Sequence, residues 1–323
     1  MRRDATRAFL LMLLALVGLV CSGKSSVADY LVEKHGFTLI TLGSSVKGSL
    51  HFDSPDEMLQ YVTAHWQTNY VTLDLDTMEL VGMFEKRPFF LLVGIEAPML
   101  QRWERAKARH AAHPQPAKGP LHLEDFVAND DRVMYGDNIA PETTPSLPQE
   151  ESESLTTNIA NLSLLQQNGV LVSASMPSSN GALAALLSRS QLRIANTARS
   201  LSQLYAHLDS LALPSMHRLR PTWDTYFVSL CSLASLRSNC MKRRVGAVIV
   251  RKNRVLSTGY NGTPRGLTNC NEGGCARCNE SAPCGSNLDE CLCLHAEENA
   301  LLELGRDRGG AEGTIIYCNT YVF

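Results

Sequence analysis

Residues 293–300, which read Cys-Leu-His-Ala-Glu-Glu-Asn-Ala, decide the fold of the last third of the chain. A helix is predicted to begin at about His295, from whose first turn an imidazole can bind a metal ion. Glu297 follows two residues later, where its carboxylate can approach the metal without being a ligand. Hydrolytic enzymes use such a pair, in which the metal activates a water molecule and the carboxylate transfers protons. A His-x-Glu triplet by itself is a weak signal, because most such triplets are ordinary starts of surface helices.

Four further motifs precede this triplet in a fixed order and turn it into a specific signal. They are Trp-Asp-Thr-Tyr-Phe at 223–227, Arg-Ser-Asn-Cys at 237–240, Val-Gly-Ala-Val-Ile-Val at 245–250 and Gly-Tyr-Asn-Gly-Thr-Pro-Arg-Gly at 259–266. With them, residues 219–320 closely resemble the deoxycytidylate deaminases, particularly the fungal type with an N-terminal P-loop domain. The resemblance implies hydrolysis of dCMP to dUMP for thymidylate synthesis, with His295 as a catalytic zinc ligand and Glu297 as the proton shuttle. It also implies dCTP and dTTP as effectors and a homo-oligomer.

The family supplies two more zinc ligands from a Pro-Cys-x-x-Cys that follows a strand like residues 314–319. Here the sequence continues only with Cys318-Asn319-Thr320-Tyr321-Val322-Phe323. We therefore expect the catalytic zinc site to be truncated in this sequence. Cys318 is expected to be a small buried side chain rather than a replacement ligand.

The cysteines indicate a second metal site. One of the ten is Cys21, and the other nine lie between Cys231 and Cys318. This clustering favours metal ligation in a reducing compartment over a disulfide scaffold. The resemblance places ligands of a structural zinc at positions like Cys240, Cys270 and Cys293. Spacing does not decide which four bind, or whether the thiols are simply free and buried, among Cys240, Cys270, Cys275, Cys278, Cys284, Cys291 and Cys293.

The Asn261-Gly262 pair is predicted to form a turn, because Asn-Gly favours positive φ. By the resemblance, Asn261 and Gly262 also contact the substrate or an effector nucleotide. Arg237, Lys242 and Arg265 are candidate phosphate contacts, and a solvated surface cation is the alternative for each.

The N-terminal region carries a full G-x-x-x-x-G-K-[ST] match from Gly18 through Gly23 and Lys24 to Ser25. In such a loop, backbone amides cradle phosphate, the Lys adds a charge, and the Ser hydroxyl could ligate magnesium. An apolar strand that feeds this loop explains residues 1–20 better than a secretory signal, which is the alternative. The Glu-Ala-Pro at 96–98, with Arg102 and Arg105, loosely resembles a dephospho-coenzyme A kinase or nucleotide kinase.

The predicted fold class is α/β, with a cytidine-deaminase-like αβα layered sheet preceded by a P-loop-like parallel α/β domain. We place the P-loop domain at 9–135, a low-complexity insertion at 136–190, a linker helix within 191–219 and the deaminase domain at 220–323. A helix is expected over residues 191–211, and a strand pair over 245–251 and 255–260.

Bulk composition restricts the partners. The net charge of −2 predicts no binding to long nucleic acid, and the short N-terminal apolar run predicts no membrane span. We expect a cytoplasmic protein, with the nucleus as a second compartment. Three other functions stay open: a deaminase of another cytidine or nucleic-acid substrate, an inactive nucleotide-binding or regulatory subunit, and a kinase centred on Lys24.

Overall fold

The computed structural model describes residues 11–43, 46–113, 121–136, 183–283, 285–305 and 310–320. The chain divides into two units between Leu219 and Arg220. None of the helices in the described ranges is long and apolar enough to cross a membrane.

The first unit is built on a six-stranded sheet. Its strands are β1 (Leu13–Val17), β2 (Thr38–Leu42), β3 (Leu50–Phe52), β4 (Tyr70–Thr72), β5 (Phe90–Glu96) and β6 (Leu192–Ala195). Their order is β3-β2-β4-β1-β5-β6, and all five neighbouring pairs are parallel. Every residue of β1 is buried because the strand lies inside the sheet with both faces covered.

Helices cover both faces of this sheet. They are α1 (Lys24–His35), α2 (Pro55–Ala64), α3 (Met78–Phe84), α4 (Met99–Ala112), α5 (Leu123–Tyr135), α6 (Leu183–Arg189) and α7 (Leu201–Leu211). Successive β1 side chains alternate between the two apolar cores: Leu14 and Leu16 enter one, and Leu13, Ala15 and Val17 enter the other. The continuous apolar run of β1 therefore serves two cores at once.

The expected helix over residues 191–211 is confirmed for Leu201–Leu211 but is wrong for the residues before it. Leu192–Ala195 forms β6, which extends the sheet by pairing with β5, and the helix begins only at Leu201. An unpaired edge of β5 would leave backbone groups without partners, and the alternating Leu-Arg-Ile-Ala segment supplies them. Leu204 and Leu208 of α7 are buried in the first unit, so this segment is part of its core rather than a linker.

The predicted low-complexity insertion lies mostly outside the described residues, at 137–182. Its last residues differ from the prediction, because Leu183–Arg189 is α6. Leu183, Leu186 and Leu187 of this helix are buried against the sheet. The apolar spacing of these leucines stabilises a helix where the surrounding composition predicted none.

The second unit contains a three-stranded antiparallel sheet. Its strands are β7 (Gly246–Arg251), β8 (Arg254–Tyr260) and β9 (Ile315–Cys318), in the order β8-β7-β9. The predicted strand pair is confirmed as the β7–β8 hairpin. Lys252 and Asn253 at its turn both have positive φ, as a two-residue hairpin loop that matches the strand twist requires.

Helix α8 (Trp223–Ser235) covers one face of this sheet, and α10 (Ala296–Leu304) covers the other. The four-residue helix α9 (Ala276–Asn279) lies between them in the chain. Glycines allow α8 and α10 to approach closely. A Cβ on Gly246 would lie 2.1 Å from the Cys231 carbonyl oxygen of α8, and one on Gly259 would lie 2.1 Å from the Ala296 carbonyl oxygen of α10. The helix that carries Glu297 is therefore seated directly on β8.

Candidate active site and cysteine cluster

His295 and Glu297 lie at the start of α10, where the sequence predicted them. His295 is the N-cap residue, its carbonyl oxygen accepts a hydrogen bond from the Asn299 amide, and its exposed side chain does not cap the helix. Glu297 lies in the first turn and is half-buried. The imidazole is thus open to a ligand, and the carboxylate lies close by on the same turn.

Cys318, the last residue of β9, lies beside Glu297. Its thiol is hydrogen-bonded to the Glu297 carboxylate, and burial together with this bond raises the pKa of Cys318. The side chain also packs against the core under α10. Cys318 is therefore half-buried and apolar in setting, close to what the sequence predicted, but it also contacts the predicted proton shuttle.

The predicted turn at Asn261-Gly262 is wrong. Neither residue has positive φ, and Gly262 instead forms a two-way backbone bridge to Leu294, with N···O distances of 2.9 and 3.3 Å. A Cβ at Gly262 would lie 2.1 Å from the Asn239 side-chain oxygen, so close packing explains the glycine. The bridge fixes the residue immediately before His295.

The Asn261 side chain holds three segments together. Its oxygen accepts hydrogen bonds from the Ser238 hydroxyl (2.7 Å) and the Val245 amide (2.8 Å), and its nitrogen donates to the Arg243 carbonyl (2.7 Å). Both oxygen lone pairs are used, which leaves at most one N–H for a ligand. Asn261 borders the site chiefly as a scaffold residue.

A cavity of about 500 Å³ opens beside His295 and Glu297. Lys242, Arg243 and Arg277 line it, and Glu297 is the one carboxylate among its described lining residues. Arg237 and Arg265 are exposed and are not among those lining residues. The positive lining suits a small anion. Arg243 and Arg277 were not singled out from the sequence, although Arg243 adjoins Lys242.

The cysteines form a cluster on another side of this cavity. Cys270, Cys275 and Cys278 are buried, with Cys240, Cys291 and Cys293 packed against them. Two groups of four have all their sulfurs within 4.8 Å of one another: Cys240, Cys270, Cys278 and Cys293, and Cys275, Cys278, Cys291 and Cys293. Cys284 lies outside the described residues. Six of the seven candidates are thus brought together.

Local hydrogen bonds favour thiolates in part of this cluster. Burial opposes ionisation of Cys275, but bonds to the Cys278 and Leu292 backbone lower the pKa of its thiol to about 6. In the same way, burial of Cys240 is outweighed by backbone bonds at Arg243 and Lys242, which lower the pKa of that thiol. The Arg277 guanidinium lies 3.6 Å from the Cys291 sulfur.

The two candidate zinc sites fit the ion to different degrees. The cysteine cluster offers complete sets of four thiols, the ligand set of structural zinc. A catalytic zinc needs three protein ligands, and no group of three in the described residues includes His295. Among the described residues, this part of the cavity therefore offers one imidazole and one carboxylate but no complete set of three ligands.

In the first unit, residues 18–23 connect β1 to α1, and Lys24 and Ser25 are the first two residues of α1. Lys24 donates to the Gly18 carbonyl at 2.6 Å, and its pKa is lowered, chiefly by burial. Gly23 has φ of 103° at the helix N-cap, and Ser25 is exposed in the first turn. The Asp74 carboxylate accepts a hydrogen bond from the Leu42 amide and so ties two strands together.

A second cavity, of about 290 Å³, lies beside this loop. Its lining includes Cys21, Gly23, Arg105, Arg109 and Arg199. Arg105 donates to the carbonyls of Cys21 (3.1 Å) and Ala198 (2.8 Å), which places its charge over the loop.

Arg102 of the kinase-like motif is not among the described residues that line this cavity. Its side chain is buried and ion-paired with Asp130 of α5, and it donates to the Ala97 carbonyl at 3.1 Å. It therefore holds α4 to its surroundings rather than facing a ligand.

Comparisons with known proteins agree with the geometry of the second unit. Residues 221–321 match the family model described as the cytidine and deoxycytidylate deaminase zinc-binding region. A deoxycytidylate deaminase of Schizosaccharomyces pombe is 40% identical over 314 residues, covering 94% of this chain and 82% of that protein. One of Saccharomyces cerevisiae is 37% identical over 309 residues, covering 96% and 82%. A deoxycytidylate deaminase of Mycobacterium phage D29 is 42% identical over 93 residues, covering 27% and 71%.

Proposed function

The chain belongs to the deoxycytidylate deaminases, and from this premise we propose that Glu297 and His295 form its reaction centre. The reaction is the hydrolysis of dCMP to dUMP and ammonia. The observation that carries the assignment of residues is their joint placement. The His295 side chain makes no capping hydrogen bond to the helix, and it lines the same cavity as the Glu297 carboxylate of the first turn.

Glu297 carries protons in this proposal. It takes a proton from the attacking water, gives it to N3 of the cytosine, and then transfers a proton to the departing amino group. A carboxylate that is half-buried and fixed on a helix can reach both positions while water is partly excluded. The close packing of α10 against Gly259 of β8 holds the carboxylate in place.

His295 would hold one position of a catalytic zinc, which, when bound, makes hydroxide available near neutral pH. The resemblance places the other two protein ligands in a Pro-Cys-x-x-Cys motif, which the 323 residues do not contain. The Gly262–Leu294 bridge fixes the backbone next to the imidazole, as a metal ligand needs.

The cavity lining supports a nucleoside monophosphate as the substrate form that binds. Lys242, Arg243 and Arg277 provide three positive charges within the lining. A phosphate gains from such charges, whereas an uncharged nucleoside does not. Asn261 lines the same cavity, and Gly262 is the next residue in the chain. A contact of both with the nucleotide stays part of this proposal.

Turnover of dCMP, deoxycytidine, CMP and a cytosine-containing oligonucleotide by the purified natural gene product tests this specificity. We expect kcat/KM to be highest for dCMP. Equal or faster turnover of deoxycytidine or the oligonucleotide would overturn the proposal and favour another cytidine substrate.

For the first unit, we propose a P-loop-like domain that binds a phosphate-bearing ligand at residues 18–25. The amide groups at the start of α1, the Lys24 charge and the cations beside the second cavity support it. Ser25 could ligate magnesium there. Equilibrium binding of ATP, GTP and inorganic phosphate, compared with a Lys24→Ala variant, is the test. Absence of binding to the unaltered chain would defeat it, and phosphotransfer would instead favour a kinase.

Assembly and regulation are also proposals. Exposed apolar side chains on α8, including Trp223, Val228 and Leu233, support a homo-oligomer. Regulation by dCTP and dTTP follows from the family resemblance. The free thiols of the cluster support a reducing compartment, the cytoplasm or nucleus. Sedimentation with and without each triphosphate tests assembly and effector binding together.

A further inference from the structure

The cysteine cluster contains two complete four-thiol sets that overlap. Cys278 and Cys293 belong to both, Cys240 and Cys270 to the first set only, and Cys275 and Cys291 to the second only. Two separate tetrahedral sites would need eight sulfurs. Six sulfurs suffice when two of them are shared.

The sulfur separations match zinc–thiolate geometry. The Sγ···Sγ distances are 3.8 Å for Cys240–Cys278, 3.9 Å for Cys278–Cys291 and Cys278–Cys293, and 4.0 Å for Cys275–Cys291. A zinc–sulfur bond of about 2.3 Å in a tetrahedron places neighbouring sulfurs about 3.8 Å apart. A disulfide needs about 2.05 Å. Each of these pairs, including the shared pair, therefore has the spacing of one tetrahedral edge.

A single ion would leave two thiols in the cluster unused. If it bound the first set, Cys275 and Cys291 would still face each other at 4.0 Å. If it bound the second set, Cys240 and Cys270 would be left over, with the Met241 amide 3.4 Å from the Cys270 sulfur. Neither single-ion arrangement uses all six sulfurs that the fold brings together.

The surrounding loop is tied by hydrogen bonds, such as the one from Arg277 to the Ser286 carbonyl (2.7 Å), but its described part has no apolar core other than these cysteines. Its described helical elements are only the short turns Cys270–Glu272 and Ala276–Asn279, and the buried apolar cluster there consists of cysteines alone. Segments with so small a core usually need a metal or a disulfide for stability. The cysteines of the cluster are free thiols, which leaves a metal.

We propose that the six cysteines bind two zinc ions that share the thiolates of Cys278 and Cys293. Cys240 and Cys270 complete one tetrahedron, and Cys275 and Cys291 complete the other. Loading releases six protons from six thiols and gives a net charge of −2. One zinc with four thiolates has the same net charge. Binding of the second ion, with the loss of two more protons, therefore leaves the net charge unchanged.

This site goes beyond deamination and does not depend on it. Cys293 is two residues before His295, so the shared thiolate would also fix the backbone that leads into α10. The neighbouring Arg277 guanidinium offsets part of the negative charge of the cluster.

Zinc counting on the full chain tests the proposal. The experiment uses a His295→Ala background, so that metal at the deaminase site is not counted, and combines native mass spectrometry with elemental analysis. We expect two zinc ions per chain. A Cys275→Ser/Cys291→Ser variant should keep one, a Cys240→Ser/Cys270→Ser variant should also keep one, and a Cys21→Ser control should keep two.

A mononuclear site gives a different pattern. The background would then hold one zinc, one double variant would keep it in full, and the other would lose it. That result, or a background without zinc, would overturn the proposal.

If the double variants fold poorly, a cobalt titration of the metal-free His295→Ala protein still counts the ions that the cluster binds. Thiolate-to-cobalt charge-transfer absorbance should rise until two equivalents, and bridged ions should give a weaker paramagnetic resonance signal than two isolated ions. Saturation at one equivalent would contradict the shared site.

Discussion

Replacing Gly259 by alanine tests how closely α10 must sit on β8 for catalysis. The added Cβ would lie 2.1 Å from the Ala296 carbonyl oxygen and 2.4 Å from the Ala300 amide nitrogen, and ordinary contact begins at 3.4 Å. The overlapping atoms are backbone, so the helix must move by about 1.3 Å. Overpacking of this kind costs about 1–3 kcal/mol of stability. A displacement of about 1 Å at a catalytic group costs about 100-fold in rate.

Gly246→Ala is the matched control. Its Cβ would lie 2.1 Å from the Cys231 carbonyl oxygen and 2.5 Å from the Ser235 amide nitrogen, the same overlap on the opposite face of the sheet. Both variants should lose similar stability, but only Gly259→Ala displaces the helix that carries Glu297. We therefore expect kcat for dCMP to fall about 100-fold in Gly259→Ala and much less in Gly246→Ala.

Denaturant unfolding followed by Trp223 fluorescence, in a Trp66→Phe/Trp103→Phe background, measures the stability of the second unit. Initial rates of dUMP formation at saturating dCMP measure kcat. If kcat falls equally in the two variants at equal stability, the close packing of α10 on β8 does not position the proposed reaction centre.

Three further predictions concern recognition and stability. Lys242→Ala should raise KM for dCMP by up to about tenfold but leave KM for deoxycytidine unchanged, because only the phosphate gains from the charge; equal changes for both substrates would count against phosphate recognition. Asn261→Ala should lower the free energy of unfolding by about 1–3 kcal/mol because it leaves a buried amide without a partner, whereas exposed Arg237→Ala should change it by less than about 0.5 kcal/mol. Burial and the hydrogen bond to Asp209 raise the pKa of Tyr30 above its usual 10, so its contribution to stability is complete below about pH 10 and lost at higher pH. Tyr30→Phe should remove that alkaline loss in pH-dependent unfolding, and an unchanged alkaline slope would disprove the assignment.

The elements with strong local signals were predictable from the sequence. The apolar run that becomes β1 and the glycine loop after it both appear where the sequence predicted them. The β7–β8 hairpin and α10 are likewise close to prediction. In each case the apolar pattern and the turn residues point to the same structure.

The strand β6 could not be predicted from its own residues because it is stabilised by a distant segment of the chain. Leu192–Ala195 is short, and it becomes a strand by pairing with β5, about a hundred residues earlier. Gly262 was misjudged for a related reason. Its small size accommodates Asn239 across the fold, whereas local propensity suggested a turn.

The joint placement of His295 and Glu297 was predictable, but the arrangement of the cysteines was not. His295 and Glu297 are neighbours in sequence, so their spacing alone suggests their chemistry. Cys278 and Cys293, the proposed shared pair, lie fifteen positions apart in the sequence. Which thiols meet depends on how that loop folds, and spacing cannot specify it.

The most direct test of the account is dCMP turnover by the natural protein and its Glu297→Gln variant, with zinc measured on the same samples. The amide keeps the size of the side chain but cannot carry the proton. We predict dUMP and ammonia in equal amounts from the unaltered protein, and a loss of at least about 100-fold in kcat with unchanged zinc content in the variant. Turnover in the variant at the rate of the unaltered protein would contradict the assignment of Glu297 as the proton carrier.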